Sequence, residues 1–138
     1  MESSFHLSLP IKNLKDTVAF YRDVLGCKVG RNTPQWADID IYGHQVTFVL
    51  QPNAVKADQY YSVGKVRTPV FHFGVILPKK QWNELKDKII QLKHPFFIEP
   101  ETLFEGQAFE QQSFMLKGPN GYAVEFKTFE NPEKMFSA

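Results

Sequence analysis

The stretch FHLSLPIKNLKDTVAFYRDVLG, residues 5–26, decides how the rest of the chain is read. Its first seven residues alternate, with Phe5, Leu7, Leu9 and Ile11 on one side and His6, Ser8 and Pro10 on the other. That is the period of a half-buried strand. Asn13 stands where a helix N-cap belongs, and Asp16, three positions on, is a carboxylate version of the capping box. Leu14, Val18, Tyr21 and Leu25 then share one helical face, and Gly26 supplies the stop. The apolar sides of strand and helix are able to cover one another, which leaves a histidine on the uncovered side.

Working outward, strands are expected near 27–32, 35–42 and 44–51, after which residues 52–68 show no sustained period and read as a linker. The pattern then restarts. Residues 70–77 repeat the strand, with Phe71, Phe73, Val75 and Leu77 expected against a helix and His72, Gly74 and Ile76 facing the other way. Residues 79–92 repeat the helix through Trp82, Leu85 and Ile89, with Ile90 and Leu92 widening the stripe. A short strand is expected near 96–98 and a loop over 99–110, followed by strands at 111–117 and 122–129 flanking the turn GPNG. YGHQVTF (42–48) aligns with NGYAVEF (120–126), pairing His44 with Tyr122 and Thr47 with Glu125. Each half therefore reads strand, helix, three strands: a divergent duplication with modules over about 4–51 and 69–130.

The bounds are those of one ordinary domain. The chain has 138 residues, with 16 Lys+Arg against 15 Asp+Glu, so it lacks the basic footprint of a nucleic-acid or anionic-membrane binder. A single cysteine, Cys27, excludes an internal disulfide framework and a thiolate cluster. No apolar run approaches the roughly 20 residues of a membrane span, and MESSFH lacks the build of a secretion signal, so a cytoplasmic location is expected.

Strand alternation puts His6, His72 and Glu125 each on the face away from the helices. If the two sheets line a common concavity, two imidazoles and a carboxylate form a ligand set for a divalent ion with open positions, most characteristically non-haem Fe(II). Thr47, the counterpart of Glu125, is a poor ligand, which favours three protein ligands. The same alternation names Ser8, Gln45, Thr47, Gly74, Gln112 and Phe114 as substrate-pocket candidates. His44 and Tyr122 have acid/base chemistry, although alternation turns both away from the ligands. GPNG lies between strands and is a turn, with no helix behind it to hold a phosphate.

The stretches FHLSLPIKNLKDTVAFYRDVLGCKV, HFGVIL and FMLKGPNGYAVEF resemble the vicinal oxygen chelate superfamily, which includes glyoxalase I, extradiol dioxygenases and the fosfomycin and bleomycin resistance proteins. The chain looks nearest to its small single-domain extradiol-type dioxygenases. That resemblance implies an α+β fold of two tandem βαβββ modules, one domain over 1–138, forming a cupped mixed sheet around a central cavity. It implies a divalent ion on His6, His72 and Glu125, with Fe(II) favoured and Mn(II), Zn(II) or Ni(II) as alternatives. It further implies a small substrate bound through two adjacent oxygens, O2 as co-substrate, and a homodimer. A glyoxalase-type isomerase or lyase and a non-catalytic, resistance-type binding protein are the alternative functions.

Overall fold

The computed structural model describes residues 1–63 and 66–137, which form two compact units: residues 1–59 with 118–121, and residues 60–117 with 122 onward. The first unit opens with strand β1 (His6–Ile11) and helix α1 (Leu14–Ala19), followed by β2 (Lys28–Asn32), β3 (Trp36–Ile41) and β4 (His44–Leu50). Its sheet runs β1-β4-β3-β2, with β1 parallel to β4 and the other pairs antiparallel.

The local reasons are those the sequence carries. Leu9 and Ile11 are buried while His6 and Ser8 are exposed, as a half-covered strand requires. Asn13 Oδ1 accepts the Asp16 amide at 2.9 Å, capping α1. The helix continues as a π-helical turn over Phe20–Val24, which buries Phe20 and Tyr21, and Gly26 ends it at a φ of 70°. The GPNG turn counts with this unit. Asn120 Oδ1 accepts the Lys12 amide at 2.8 Å, and its Nδ2 donates to Thr17 Oγ1 at 2.7 Å, pinning the turn to the junction of β1 and α1.

The second unit begins with a hairpin, β5 (Tyr60–Val63) and β6 (Val66–Pro69). There follow β7 (His72–Ile76), helix α2 (Lys79–Gln91), β8 (Ile98–Leu103), β9 (Gln111–Lys117) and β10 (Ala123–Phe129). The sheet order β7-β10-β9-β8, with β7 parallel to β10, repeats the topology of the first unit. The chain is thus α+β and built on two strand–helix–three-strand motifs, as expected. In corresponding registers His6 stands opposite Gln45 and His72 opposite Ala123, while Ser8 stands opposite Thr47 and Gly74 opposite Glu125. The alignment of YGHQVTF with NGYAVEF is therefore also an alignment of hydrogen-bonded registers.

Helix α2 buries Trp82, Leu85 and Ile89 and lies against β10. Phe114 is enclosed by Trp82, Phe96 and Phe126, with ring centroids 5.4, 5.3 and 5.6 Å away. Trp82 Nε1 donates to the Phe126 carbonyl at 2.8 Å, fixing helix to strand.

Four details differ from expectation. The stretch 52–68 holds a 3-10 turn (Pro52–Ala54) and most of the β5–β6 hairpin rather than a featureless linker; Gly64 and Lys65 of that stretch, and Ala138, lie outside the described residues. Ile90 and Leu92 are about half exposed, because the buried stripe of α2 follows 82, 85 and 89 and the next residue turns away. Phe71 precedes β7 and packs edge-on against Tyr122 instead of facing α2. Strand β8 (Ile98–Leu103) starts at the end of the expected short strand and takes residues 99–103 from the expected loop, with a register shift between Ile98 and Glu101 that accommodates Pro100 on a sheet edge.

Replacing Asn120 by Ala removes both side-chain hydrogen bonds that pin the turn. The expected outcome is a loss of about 1–2 kcal/mol in urea unfolding with little change in slope.

Candidate metal centre

Strand β10 carries the site because its two faces have different neighbours. Val124, Phe126 and Thr128 are buried, while Glu125 and Lys127 point to the other face. Glu125 stands opposite Met115 of β9 and Lys127 opposite Ser113. On the β7 side Gly74 stands opposite Glu125, and a Cβ built on Gly74 would overlap the Glu125 carbonyl oxygen. β7 therefore approaches β10 more closely at this point than any side chain permits. Gly74, a substrate-pocket candidate, lets the strand carrying His72 reach the strand carrying Glu125.

The His72 ring is oriented from behind. Its Nδ1 lies 2.9 Å from the Pro69 carbonyl oxygen, which only accepts, so Nδ1 carries the proton. In the neutral ring Nε2 then presents its lone pair, and it lies 3.6 Å from Glu125 Oε1. Glu125 is fixed in the same manner: Ser113 Oγ donates to its Oε2 at 2.7 Å, leaving Oε1 toward the imidazole. Lys127 Nζ is 3.8 Å from the same Oε1.

A separation of 3.6 Å is too long for a hydrogen bond between Nε2 and Oε1. It matches two ligands on one divalent ion, which at bond lengths near 2.1 Å stand roughly 3.0–3.6 Å apart. Outer partners such as the Pro69 carbonyl and Ser113 hydroxyl are what metal-bound imidazoles and carboxylates use to hold their aim. The pair therefore fits a divalent cation. Among the described residues, no group of three or more His, Cys, Asp or Glu side chains is assembled that could hold a metal ion.

The pair opens into a cavity of about 210 Å³ in the second unit. Gln111, Ser113, Glu101 and Lys127 give it polar walls, and Ile98, Leu103, Phe104 and Met115 give it apolar ones. Tyr61, Val66 and Thr68 come from the β5–β6 hairpin. Phe104 takes a φ of 55°, a conformation uncommon for a bulky side chain, at the cavity margin.

In the first unit His6, Ser8, Gln45 and Thr47 share one face of the sheet, with His6, Ser8 and Gln45 exposed and Thr47 half-buried. Thr47 Oγ1 donates to Asp38 Oδ1 at 2.7 Å, and Arg31 Nε lies 3.5 Å from Asp38 Oδ2. Thr47 thus serves a buried carboxylate.

Two pocket candidates belong elsewhere. Phe114 is fully buried in the aromatic cluster under α2, and Gln112, opposite Thr128, shares its side of β9. The reason is the hairpin loop: the strands resume at Lys117 opposite Ala123, so Tyr122 adds a fifth loop residue after GPNG. One residue in a loop exchanges every inward and outward position of the partner strand. Counting from that register places Gln111, Ser113 and Met115 beside Glu125, and a step of two from Glu125 gives Lys127.

The acid/base candidates have structural partners. His44 Nδ1 accepts the Phe5 amide at 3.0 Å, tying the residue before β1 to the start of β4. Tyr122 is buried against Phe71, and burial raises its phenol above the usual value.

A family model, described as Glyoxalase/Bleomycin resistance protein/Dioxygenase superfamily, matches residues 4–126. The chain belongs to this superfamily. It is similar to a solved glyoxalase/bleomycin resistance protein/dioxygenase from Alicyclobacillus acidocaldarius, with 29% identity, TM-score 0.78, and 97% of this chain and 96% of that one covered. The fosfomycin resistance protein FosX of Listeria monocytogenes shares the fold at TM-score 0.68 and 12% identity, with 99% of each chain covered. The metallothiol transferase FosB of Lysinibacillus sphaericus (strain C3-41) is 22% identical over 131 residues, which is 93% of this chain and 83% of that protein.

Gly74→Ala should force β7 away from β10, with a loss on the order of 2–3 kcal/mol in chemical denaturation. Tyr122 supplies a pH dependence with a definite sign. The unfolded phenol ionises first, so stability is fully present below the ordinary tyrosine value and is lost as pH rises through the raised folded value. Thermal melts across the alkaline range should show that slope, and Tyr122→Phe should flatten it.

Proposed function

We propose that the chain is a divalent-metal-dependent enzyme acting on a small molecule held through two neighbouring oxygens, with His72, Glu125 and His6 as the protein ligands. The observation that carries this reading is the Nε2–Oε1 pair, 3.6 Å apart, with each donor locked by a partner on its far side. The bound ion would supply Lewis acidity and charge neutralisation. Two imidazoles and one carboxylate suit Fe(II), with Mn(II), Zn(II) and Ni(II) as alternatives. The chain's own work is positioning: Gly74 sets the strand spacing, Pro69 and Ser113 aim the ligands, and the hairpin and Phe104 limit access of water. Ser8, Gln45 and Thr47, on the face that carries His6, are proposed substrate contacts.

The apolar wall of Ile98, Leu103, Phe104 and Met115 supports a substrate with a carbon ring, and hence extradiol-type ring opening with O2. The similarity to a metallothiol transferase favours a second reading, transfer of a thiol onto a metal-held substrate. A homodimer is part of the same proposal.

Metal analysis after anaerobic loading should show His6→Ala, His72→Ala and Glu125→Ala each lowering affinity by about tenfold or more. His44→Ala should leave affinity unchanged, and full retention of metal in the ligand variants would overturn the assignment. Oxygen uptake with catechols supports ring opening; disappearance of a thiol without oxygen uptake supports transfer.

A further inference from the structure

The metal pair and its two locks leave two charged groups of the cavity, Glu101 and Lys127, without an assigned task. Lys127 follows Glu125 by two residues, which puts both on the same face of β10. Its Nζ is 3.8 Å from Glu125 Oε1, the same oxygen that faces His72 Nε2. Its side chain is 30% exposed against 14% for Glu125, so it is the more solvent-accessible of the two. Lys127 is opposite Ser113 on β9, and Ser113 is opposite Glu101 on β8, so a cation, a hydroxyl and a second carboxylate form one row across the cavity wall.

A divalent ion bonded to Oε1 takes up the charge that Lys127 otherwise faces, and the two cations repel. Glu101 and Glu125 together balance only the ion, which leaves the ammonium as one uncompensated positive charge beside the ligand pair. An ammonium in a small, partly apolar cavity is stabilised by an oxyanion that fills its donors. The geometry points to Lys127 as the specificity residue of the site. It reads a negatively charged oxyanion group, carboxylate or phosphonate, on a substrate whose two neighbouring oxygens are held at the His72–Glu125 pair. This inference rests on the metal reading above and deepens it by naming the substrate class.

The test is anaerobic calorimetry on the full chain loaded with Mn(II). The probes are catechol, 3,4-dihydroxybenzoate and 3,4-dihydroxyphenylphosphonate, which present the same diol with no further charge, a carboxylate and a phosphonate. Wild type should bind one or both charged probes more tightly than catechol, by about tenfold or more for a charge-assisted contact. Lys127→Met should bring that ratio close to one while catechol affinity and manganese content stay as in wild type, and Lys127→Arg should retain most of the preference. Comparing ratios across variants cancels the effect of the substituent on the diol itself. Whichever charged probe gains more from Lys127 identifies the oxyanion. An unchanged ratio in a manganese-loaded Lys127→Met protein overturns the role of Lys127 and leaves the metal reading standing. A wild-type chain that takes up none of Fe(II), Mn(II), Zn(II) and Ni(II) overturns both.

Discussion

The contact on which the site depends is between two backbones. β7 and β10 run parallel with Gly74 opposite Glu125, at a spacing where a Cβ would meet the Glu125 carbonyl oxygen. That approach brings a histidine near the start of one strand to within 3.6 Å of a carboxylate on the other. The opposite face of β10 is heavily packed. Val124 and Phe126 are fully buried, and Trp82 bonds the Phe126 carbonyl, so β10 is held rigidly from the helix side while its other side stays open. A side chain placed on a strand of this kind inherits the precision of the core.

Much of this was legible in the chain. The alternation of 5–11, the Asn13 cap and the Gly26 stop are local signals, and local signals survive folding. The duplication was legible because order and spacing repeat where identity does not. The pairing of His72 with Glu125 followed from placing each on the unburied face of its own strand, a deduction that needs no knowledge of the loops. Gln112 and Phe114 needed such knowledge, because their face depends on how many residues the GPNG hairpin spends before pairing resumes. Tyr122 is the residue that changes the parity. Lys127 and Ser113 were missed for different reasons: a lysine in a strand reads as a solvated edge charge, and a serine has no period of its own.

The β5–β6 hairpin shows the limit of periodicity. Its strands are four residues each, too short for alternation to stand out, and Tyr60 is engaged by Arg67 at 4.2 Å from the ring and by Lys117, which donates to its hydroxyl at 3.2 Å. Those partners are distant in sequence or cross-strand, so a reading along the chain sees only a polar stretch. Yet Tyr61, Val66 and Thr68 line the cavity of the second unit. The segment that looked like a connector contributes wall.

The two units show how one backbone plan yields different chemistry from a few exchanges. Ser8 and Thr47 occupy the register positions that Gly74 and Glu125 occupy in the second unit. In the first unit the acid lies on β3, where Asp38 is satisfied by Thr47 and approached by Arg31, so its charge is used up inside the sheet. In the second unit the acid lies on β10 and the hydroxyl on β9, and the serine satisfies one carboxylate oxygen while the other faces the imidazole. Exchanging which strand carries the acid converts a closed hydrogen bond into a carboxylate with one oxygen left toward an imidazole. Placing glycine where the first unit has serine then lets the imidazole-bearing strand come close enough to use it. Among the described residues, a histidine meets a carboxylate in the second four-stranded sheet and not in the first, and these two register positions are where the sheets diverge.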